Sequence, residues 1–380
     1  MHDPFLYERV YSYVLHQIRT EQLGPGDRVP SEKELAEQFG VSRITSKRAL
    51  RMLADAGIVD RRRGQGSFVT RDARRLESIR QTPDRRYERS QRTGCLALVL
   101  PDATEVYGLE LFCAIEERCA ELGYHLVIRR TKDSQQVEEQ AIESLVGGGV
   151  VDGLIVFPVH GEFYNASLVR LVLDHSPLVL VDRYLPGLPA CSVCTDNLGA
   201  ARALTSYILD KGHDQIAFLS PPAENTTSIE ERMQGYREVL RERGYPREAE
   251  RCFTEFRSTL PSARSRETDT DKQALGEFLQ SASKVTGFVA CEYNIAVLLV
   301  EVLREAGTWD PNRYLITCFD SPGPQRGGCP FVYIKQDERE MGRRAVDLLI
   351  AQLSGDEVPH RSILPFTLIE PPQKMTTFGA

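Results

Sequence analysis

The chain has 380 residues, 41% hydrophobic and 27% charged, a balance expected of a globular protein with room for two or three domains. No apolar run approaches the roughly 18 residues a membrane span needs, and Met1-His2-Asp3-Pro4 opens no basic-then-apolar signal segment, so a cytoplasmic protein without a membrane partner is expected. Residues 1–93 hold 19 Lys/Arg against 13 Asp/Glu, net +6, whereas 94–380 hold 28 against 41, net −13, so a basic nucleic-acid-binding head is expected on an acidic body that avoids phosphates.

Tyr7, Tyr11, Val14, Leu15 and Ile18 recur at helical spacing and predict a first amphipathic helix over about residues 4–21. Leu23-Gly24-Pro25-Gly26-Asp27 ends it with turn residues. Pro30-Ser31 announces a second helix, with Ser31 and Glu34 spaced as a capping box and Gly40 placed to terminate it in the left-handed region. A third helix starts from Ser42 as N-cap, with Ala49, Leu50 and Leu53 on one side and Arg43, Lys47 and Arg51 on another. Two short helices joined by a glycine turn form a helix-turn-helix, whose second helix offers its first residues to base edges in the major groove. Arg43 and Lys47 can reach guanine O6/N7 or phosphate, and Ser42 and Thr45 suit either. After Gly57, Ile58-Val59-Asp60, Arg61-Arg62-Arg63-Gly64-Gln65-Gly66 and Ser67-Phe68-Val69 read as a β-hairpin with a glycine-rich, arginine-flanked tip suited to the minor groove or phosphate.

These residues resemble the winged helix of the GntR family, through Gly26–Ala36, Gly40–Arg43, Arg48–Leu50 and Gly64–Val69. The resemblance implies DNA contact from Lys33, Arg43, Thr45 and Lys47, with the wing entering the minor groove at Gln65 and Gly66 beside Arg63. Lys33 stands where the family commonly has arginine and lacks its bidentate reach. Ile44 stands where a small polar residue is frequent, and either contacts thymine methyls or packs. Residues 71–93 follow, rich in arginine and without periodicity, and read as a flexible linker.

From Gly94 short apolar strands alternate with amphipathic helices. Strands are predicted at Cys95–Leu100, His125–Ile128, Gly153–Phe157, Leu178–Val181, Ile216–Leu219, Gly287–Cys291 and Leu315–Phe319. Helices are predicted at Leu109–Leu122, Val137–Val146, Leu198–Lys211, Glu231–Gly244 and Ile295–Gly307. Alternation implies parallel sheets covered on both faces, and nearly 290 residues fit two α/β lobes with a cleft at the strands' C-terminal ends. The nine cysteines are odd in number, and Cys95, Cys113, Cys291 and Cys318 within apolar runs read as reduced core thiols. Cys191 and Cys194 have CxxC spacing without a second Cys or His pair, and read as buried strand residues instead of a zinc site.

The body resembles the effector domain of LacI/GalR regulators, itself similar to periplasmic sugar-binding proteins. The resemblance is carried by Gly149–Val156, Val179–Arg183, Thr195–Ala200, Lys211–Leu219, Glu231–Tyr236, Cys318–Asp320 and Gln336–Gly342. Domains are therefore expected at 1–70 (winged helix-turn-helix), 71–93 (linker) and 94–380 (two-lobed, effector-binding and dimerising). Candidate effector contacts are Tyr107, Asp182, Arg183, Arg232, Glu292 and Asp320, because carboxylates, guanidiniums and an aromatic face grip sugar hydroxyls and rings. Of these, Arg232 and Asp320 match the resemblance best, and His160 is either a further contact or exposed loop. Glu292-Tyr293 replaces the family's usual Asn-Asp, which changes the hydroxyl contacts expected at that corner. A GntR-type head on this body is the architecture of arabinose-repressor-type regulators.

Catalytic patterns are missing: no Gly-x-Ser-x-Gly elbow, no phosphate-binding Gly-x-x-x-x-Gly-Lys-Ser/Thr loop and no His-Glu-x-x-His, and no cofactor or metal is implied. The expected function is a homodimeric repressor whose affinity for operator DNA is relieved by a small polar effector, a monosaccharide or derivative. The alternatives are a sugar-processing enzyme or a sensor of another metabolite, each carrying a DNA-binding domain.

Overall fold

The computed structural model describes residues 10–11, 13–14, 17–18, 22–55, 57–62, 65–72, 93–161, 165–263, 266–322 and 329–371. The chain divides into two compact units: Met1–Arg92 with Tyr164–Ser176 and Gly187–Pro189, and the remainder.

In the first unit Val10, Tyr11, Val14 and Ile18 are helical and buried, on the periodicity that predicts the first helix; Tyr7 and Leu15 lie outside the described residues. β1 (Arg28–Val29) leads into α1 (Glu32–Phe39), whose capping box is complete: the Ser31 amide donates to Glu34 Oε2 at 2.6 Å and the Glu34 amide donates to Ser31 Oγ at 3.2 Å. Such a cap contributes about 1 kcal/mol. Gly40 ends α1 at φ 65°, a conformation that strains a side chain, and so turns the chain into α2 (Arg43–Asp55). The buried Ser46 hydroxyl donates to the Glu32 carbonyl at 2.6 Å and fixes the two helices. β2 (Val59–Arg62) and β3 (Gly66–Val69) form the expected antiparallel hairpin, with β1 on the far edge of β3.

The second unit contains two sheets. Its chain order runs β4 (Cys95–Leu100), α3 (Leu109–Glu121), β5 (His125–Arg130), α4 (Gln135–Gly147), β6 (Gly153–Val156), the crossover helix α5 (Ala166–Leu173, grouped with the first unit), β7 (Leu178–Val181) and β8 (Cys191–Thr195). Then come α6 (Asn197–Asp210), β9 (Ile216–Leu219), α7 (Thr227–Glu242), β10 (Arg251–Phe253), α8 (Glu267–Ser281), β11 (Gly287–Ala290), α9 (Tyr293–Glu305) and β12 (Leu315–Phe319). β13 (Val332–Gln336), α10 (Glu338–Ser354), β14 (Arg361–Leu364) and β15 (Phe366–Ile369) complete it. The first sheet is parallel throughout, in the order β14-β8-β7-β6-β4-β5. The second runs β10-β9-β11-β12-β13-β15, parallel except for β15. Continuously apolar strands such as Leu178–Val181 and Ile216–Leu219 are buried along their whole length, the pattern of sheets covered on both faces.

The chain passes between the lobes at Asp196, Asp337 and Pro365, each a single residue between elements. Asp196 and Asp337 cap the helices they start, accepting from the amides of Gly199 at 2.8 Å and Glu340 at 3.0 Å. The antiparallel β15 departs from the all-parallel expectation for a geometric reason. Strands of both sheets point at the cleft, so a strand that continues straight across it, as β14 does through Pro365, enters the second sheet running away from the cleft. Each lobe also has one close helix pair. A Cβ at Gly235 of α7 would strike the Leu198 carbonyl of α6, and one at Gly342 of α10 would sit 2.7 Å from the Leu111 carbonyl of α3.

Most predicted elements stand within a few residues of their expected ends. One difference bears on the cleft: the helix expected from Glu231 begins at Thr227, which puts Arg232 in its second turn. Cys291 and Cys318 are core thiols, but Cys95, the first residue of β4, and Cys113 are only half-buried. Cys191 and Cys194 are buried on β8, and burial pushes their thiols up to about 11 and about 12. Among the described residues no helix is long and apolar enough to cross a membrane.

Candidate functional site

The head presents its base-reading candidates at the start of α2. Ser42, Arg43, Ile44 and Lys47 are exposed and Thr45 is half-buried. Ser42 Oγ accepts from the Thr45 amide at 3.1 Å and meets Thr45 Oγ1 at 2.7 Å, so this hydroxyl is engaged in capping. Ile44 is 80% exposed, so it does not pack within the head. On α1, Lys33 is exposed and its Nζ lies 3.8 Å from Glu37. In the wing Arg61 pairs with Glu32 at 2.5 Å, and the Arg62 guanidinium lies 4.7 Å over the Phe68 ring. Gln65 is exposed at the tip, and Gly66 adopts φ 111°, where a side chain would be strained. Arg63 lies outside the described residues.

In the second unit, one cavity of about 160 Å³ is lined by all six residues expected to touch an effector: Tyr107, Asp182, Arg183, Arg232, Glu292 and Asp320. His160 lines it too. The sequence separates these residues by more than 200 positions, and strand–helix alternation brings them to the segments that follow β4, β6 and β7 in one lobe and β9, β11 and β12 in the other.

Two aspartates occupy matching places. Asp182 directly follows β7 and Asp320 directly follows β12, with φ 68° and 66°. Each is held there by its own amide, which donates to the neighbouring strand: Asp182 to the Val193 carbonyl at 3.0 Å, Asp320 to the Ile334 carbonyl at 2.9 Å. The left-handed turn costs about 1 kcal/mol or more, tolerated best by Gly, Asn and Asp, and it aims the carboxylates out of the sheet edge into the cavity. Asp182 accepts from Tyr107 Oη at 2.5 Å and from Arg183 Nε at 3.2 Å. Both oxygens of Asp320 lie 3.0 Å from Gln336 Nε2. Burial, with the Arg232 charge opposing it, holds the Asp320 carboxyl well above the usual range.

Arg232 is 5% exposed. Its Nε donates to Asn197 Oδ1 at 2.8 Å, its Nη1 donates to the Cys291 carbonyl at 2.8 Å, and its guanidinium stacks 3.8 Å over the Phe319 ring. Arg183 stacks 4.9 Å over Phe157. Glu292 holds the N-cap position of α9 without capping it, and burial drives its carboxyl up against the opposing pull of Thr259 and Arg232. His160 is pushed down to about 4 by burial and by the Arg183 charge, so its ring is neutral at physiological pH.

Four polar atoms on this wall are buried without a hydrogen bond: His160 Nε2, Arg183 Nη1, Thr259 Oγ1 and Gln336 Oε1. Buried polar atoms are almost always paired, and leaving one unpaired costs about 1–3 kcal/mol. A donor and an acceptor left over in one small cavity are chemistry waiting for a polar molecule. Gln336, at the last position of β13, is the main residue that sequence reading missed; it opens the matched segment Gln336–Gly342, and the end of a strand was the available signal. The loop Thr259–Pro261 was also missed, because β10 is only three residues long and carries no periodicity.

Residues 6–69 match the family of bacterial regulatory proteins called gntR, and residues 96–357 match the periplasmic binding protein domain. The chain belongs to the periplasmic binding protein domain family, and its head is a gntR module. It is thus a DNA-binding transcription regulator. The arabinose metabolism transcriptional repressor of Geobacillus stearothermophilus is 26% identical over 361 residues, 93% of this chain and 92% of that protein. The HTH-type transcriptional regulator CelR of Thermobifida fusca is 26% identical over 316 residues, 79% of this chain and 88% of the relative. A solved CelR–cellobiose complex shares the fold, with a TM-score of 0.63 and 22% identity over 90% of this chain and 99% of that one. The relatives of this gntR regulator are thus named as regulators of transcription, and its periplasmic binding protein domain carries the inter-lobe cavity.

Proposed function

We propose that the cavity is an effector site for one small neutral sugar, of monosaccharide size, and that its occupancy lowers affinity for operator DNA. The observation that carries this reading is the cavity wall itself. Carboxylates and guanidiniums from both lobes meet in about 160 Å³, with Arg183 Nη1 and Gln336 Oε1 left unpaired. Charge-assisted hydrogen bonds suit vicinal hydroxyls, and the apolar faces of Phe157, Ile229 and Leu260 suit a sugar ring. The volume lies below the roughly 300–1,000 Å³ of drug-sized pockets, which favours one ring over two. The arabinose repressor and the cellobiose-bound regulator among its relatives support the sugar class without selecting a member.

Domain limits of 1–70, 71–93 and 94–380 serve this reading: a DNA-reading head, an arginine-rich linker and an effector body acting as a homodimer. Of the linker, only Arg71, Asp72 and Thr93 belong to the described residues. In the head, Lys33, Ser42, Arg43, Thr45, Lys47, Arg63, Gln65 and Gly66 are the proposed DNA contacts. Dimerisation sets two heads on a two-fold operator, and the sugar acts by preferring one lobe arrangement, since equal affinity for both would shift nothing. The protein releases its sugar unchanged and works in the cytoplasm.

A thermal-shift screen of free pentoses, hexoses and their phosphates tests the class, because a bound ligand stabilises the fold by mass action. One neutral monosaccharide is expected to raise the melting temperature and to release the protein from its operator in a gel shift. Stabilisation by sugar phosphates or disaccharides alone would overturn the monosaccharide reading, and tighter operator binding with sugar would overturn the direction of control.

A further inference from the structure

Outside the cavity wall, one cluster of chemistry stands unused. Cys318, on β12, and Cys329, just before β13, are both buried, and their Sγ atoms lie 3.9 Å apart. Cys318 Sγ is also 3.7 Å from the carbonyl oxygen of Asp320, the cavity aspartate two residues on. We propose that Cys318 and Cys329 are a peroxide-oxidisable dithiol whose disulfide disturbs Asp320 and so makes effector binding sensitive to the redox state.

The two sulfurs are unequal in a way that suits this chemistry. The Cys318 thiol beside it holds Cys329 below the ordinary range, whereas burial drives Cys318 itself well above it. Burial likewise pushes Cys119, Cys191 and Cys252 up. Cys329 is therefore the nucleophile and Cys318 the resolving thiol. The Cys329 thiolate attacks one oxygen of hydrogen peroxide and becomes a sulfenic acid as the O–O bond breaks; the leaving hydroxide takes up a proton and departs as water. Cys318 sulfur then attacks the sulfenic sulfur, the S–O bond breaks, the thiol proton leaves with the hydroxyl, and a second water is released. Two thiols are oxidised and one peroxide is reduced.

An S–S bond is about 2.05 Å long, so the sulfurs must approach by nearly 2 Å. Cys318 is 0% exposed, lies within the sheet and is paired in register with Tyr333, so its backbone has little freedom. Turning its Sγ toward Cys329 withdraws it from the Asp320 carbonyl, at a residue already in the left-handed region. The Cys191–Cys194 pair offers no equivalent, because residues three apart on one strand point to opposite faces.

The consequence for binding rests on the sugar reading; the disulfide does not. Full-length protein, reduced or treated with hydrogen peroxide, is alkylated and digested, and its cysteine peptides are mapped by mass spectrometry. A Cys318–Cys329 cross-link is expected, absent from Cys329→Ser and reversed by dithiothreitol. Free thiols at both positions after peroxide, with oxidation confined to the half-buried Cys95 or Cys113, overturn the proposal. Calorimetry with L-arabinose and D-ribose then compares the two forms. Affinity is expected to fall about tenfold or more on oxidation, the loss of one charged hydrogen bond, and to be unchanged by peroxide in Cys329→Ser. A cross-linked protein with undiminished affinity overturns the coupling to Asp320. If neither sugar binds the reduced protein, the sugar reading loses support while the mapping still decides the dithiol.

Discussion

Glu231, on α7 of the second lobe, and Arg361, on β14 of the first, meet at 2.5 Å across the cleft. Tyr184 Oη donates to the same carboxylate oxygen at 3.1 Å, and the Arg361 guanidinium lies 3.9 Å over the Tyr184 ring. Nearby, Thr227 Oγ1 accepts from the Tyr184 amide at 3.1 Å and donates to its carbonyl at 3.0 Å. The residue after Glu231 is Arg232, so one turn of α7 both lines the cavity and latches the lobes together. Arg361→Ala is expected to leave the cavity wall intact but to favour the open arrangement. Both partners are partly exposed, so the cost is about 1–2 kcal/mol, a rise of roughly tenfold in the apparent dissociation constant for the sugar. Calorimetry checks it, and an unchanged constant removes the latch from the account.

Arg232 gives a sharper test of the cavity. Arg232→Ala removes two hydrogen bonds and the stack on Phe319, and it leaves Asn197 Oδ1 without its donor. Loss of sugar binding is expected, by about 1.5–3 kcal/mol or more. Arg232→Lys should recover little, since an ammonium cannot span both partners. Operator binding without sugar should remain normal in a gel shift; its loss would mean that the substitution unfolds the protein.

The head predicts a separation of roles between neighbours. Arg43→Ala is expected to weaken operator binding by about 1–3 kcal/mol and to relax preference at one base pair. Ile44→Ala should leave the melting temperature unchanged, because an 80% exposed side chain buries little in the fold, while altering preference at a neighbouring position. Binding-site selection with randomised DNA reads both. An Ile44 variant with unaltered preference would assign that side chain to plain solvent.

Two groups near the cleft set opposite pH dependences. Burial pushes Glu338 up to about 7, although the amides of Gly108 at 2.7 Å and Leu111 at 3.3 Å oppose it. A carboxyl raised in the fold holds its proton more tightly there, so its contribution is complete below pH 4.5 and lost as pH rises through about 7. His160, pushed down to about 4, contributes fully above pH 6.5 and loses that contribution as pH falls through about 4. Between pH 4.5 and 6.5 the two oppose each other. Relative to the unaltered protein, Glu338→Gln should gain stability as pH rises, and His160→Gln should gain it as pH falls, each by at most about 1.4 kcal/mol per pH unit. Thermal melts across that range give the comparison, and parallel curves for all three proteins would contradict both assignments.

The head was legible because its signals are local. A capping box, a left-handed glycine and a basic helix start each lie within a few residues, and they appear as the Ser31–Glu34 bonds, the Gly40 turn and the exposed Arg43 and Lys47. Strands of the body were legible where they are buried on both faces and read as unbroken apolar runs. The weaker elements were not: β13, β14 and β15 mix polar and apolar residues because each lies at or next to a sheet edge. That is why Gln336 and Arg361 went unnoticed, one in the cavity wall and one in the latch.

The sequence by itself determined the two modules, the alternation that makes parallel lobes, and six residues with the chemistry of polar recognition. Tertiary structure alone decided that those six share one cavity, that Asp182 and Asp320 enter it from matching left-handed turns, and that Cys318 stands 3.9 Å from Cys329. The physical reason is range. Caps, periodicity and turn chemistry act over a few residues and leave their mark in the letters. The direction in which a strand end aims its carboxylate depends on neighbouring strands far away in sequence, and on which atoms the packing leaves without a partner.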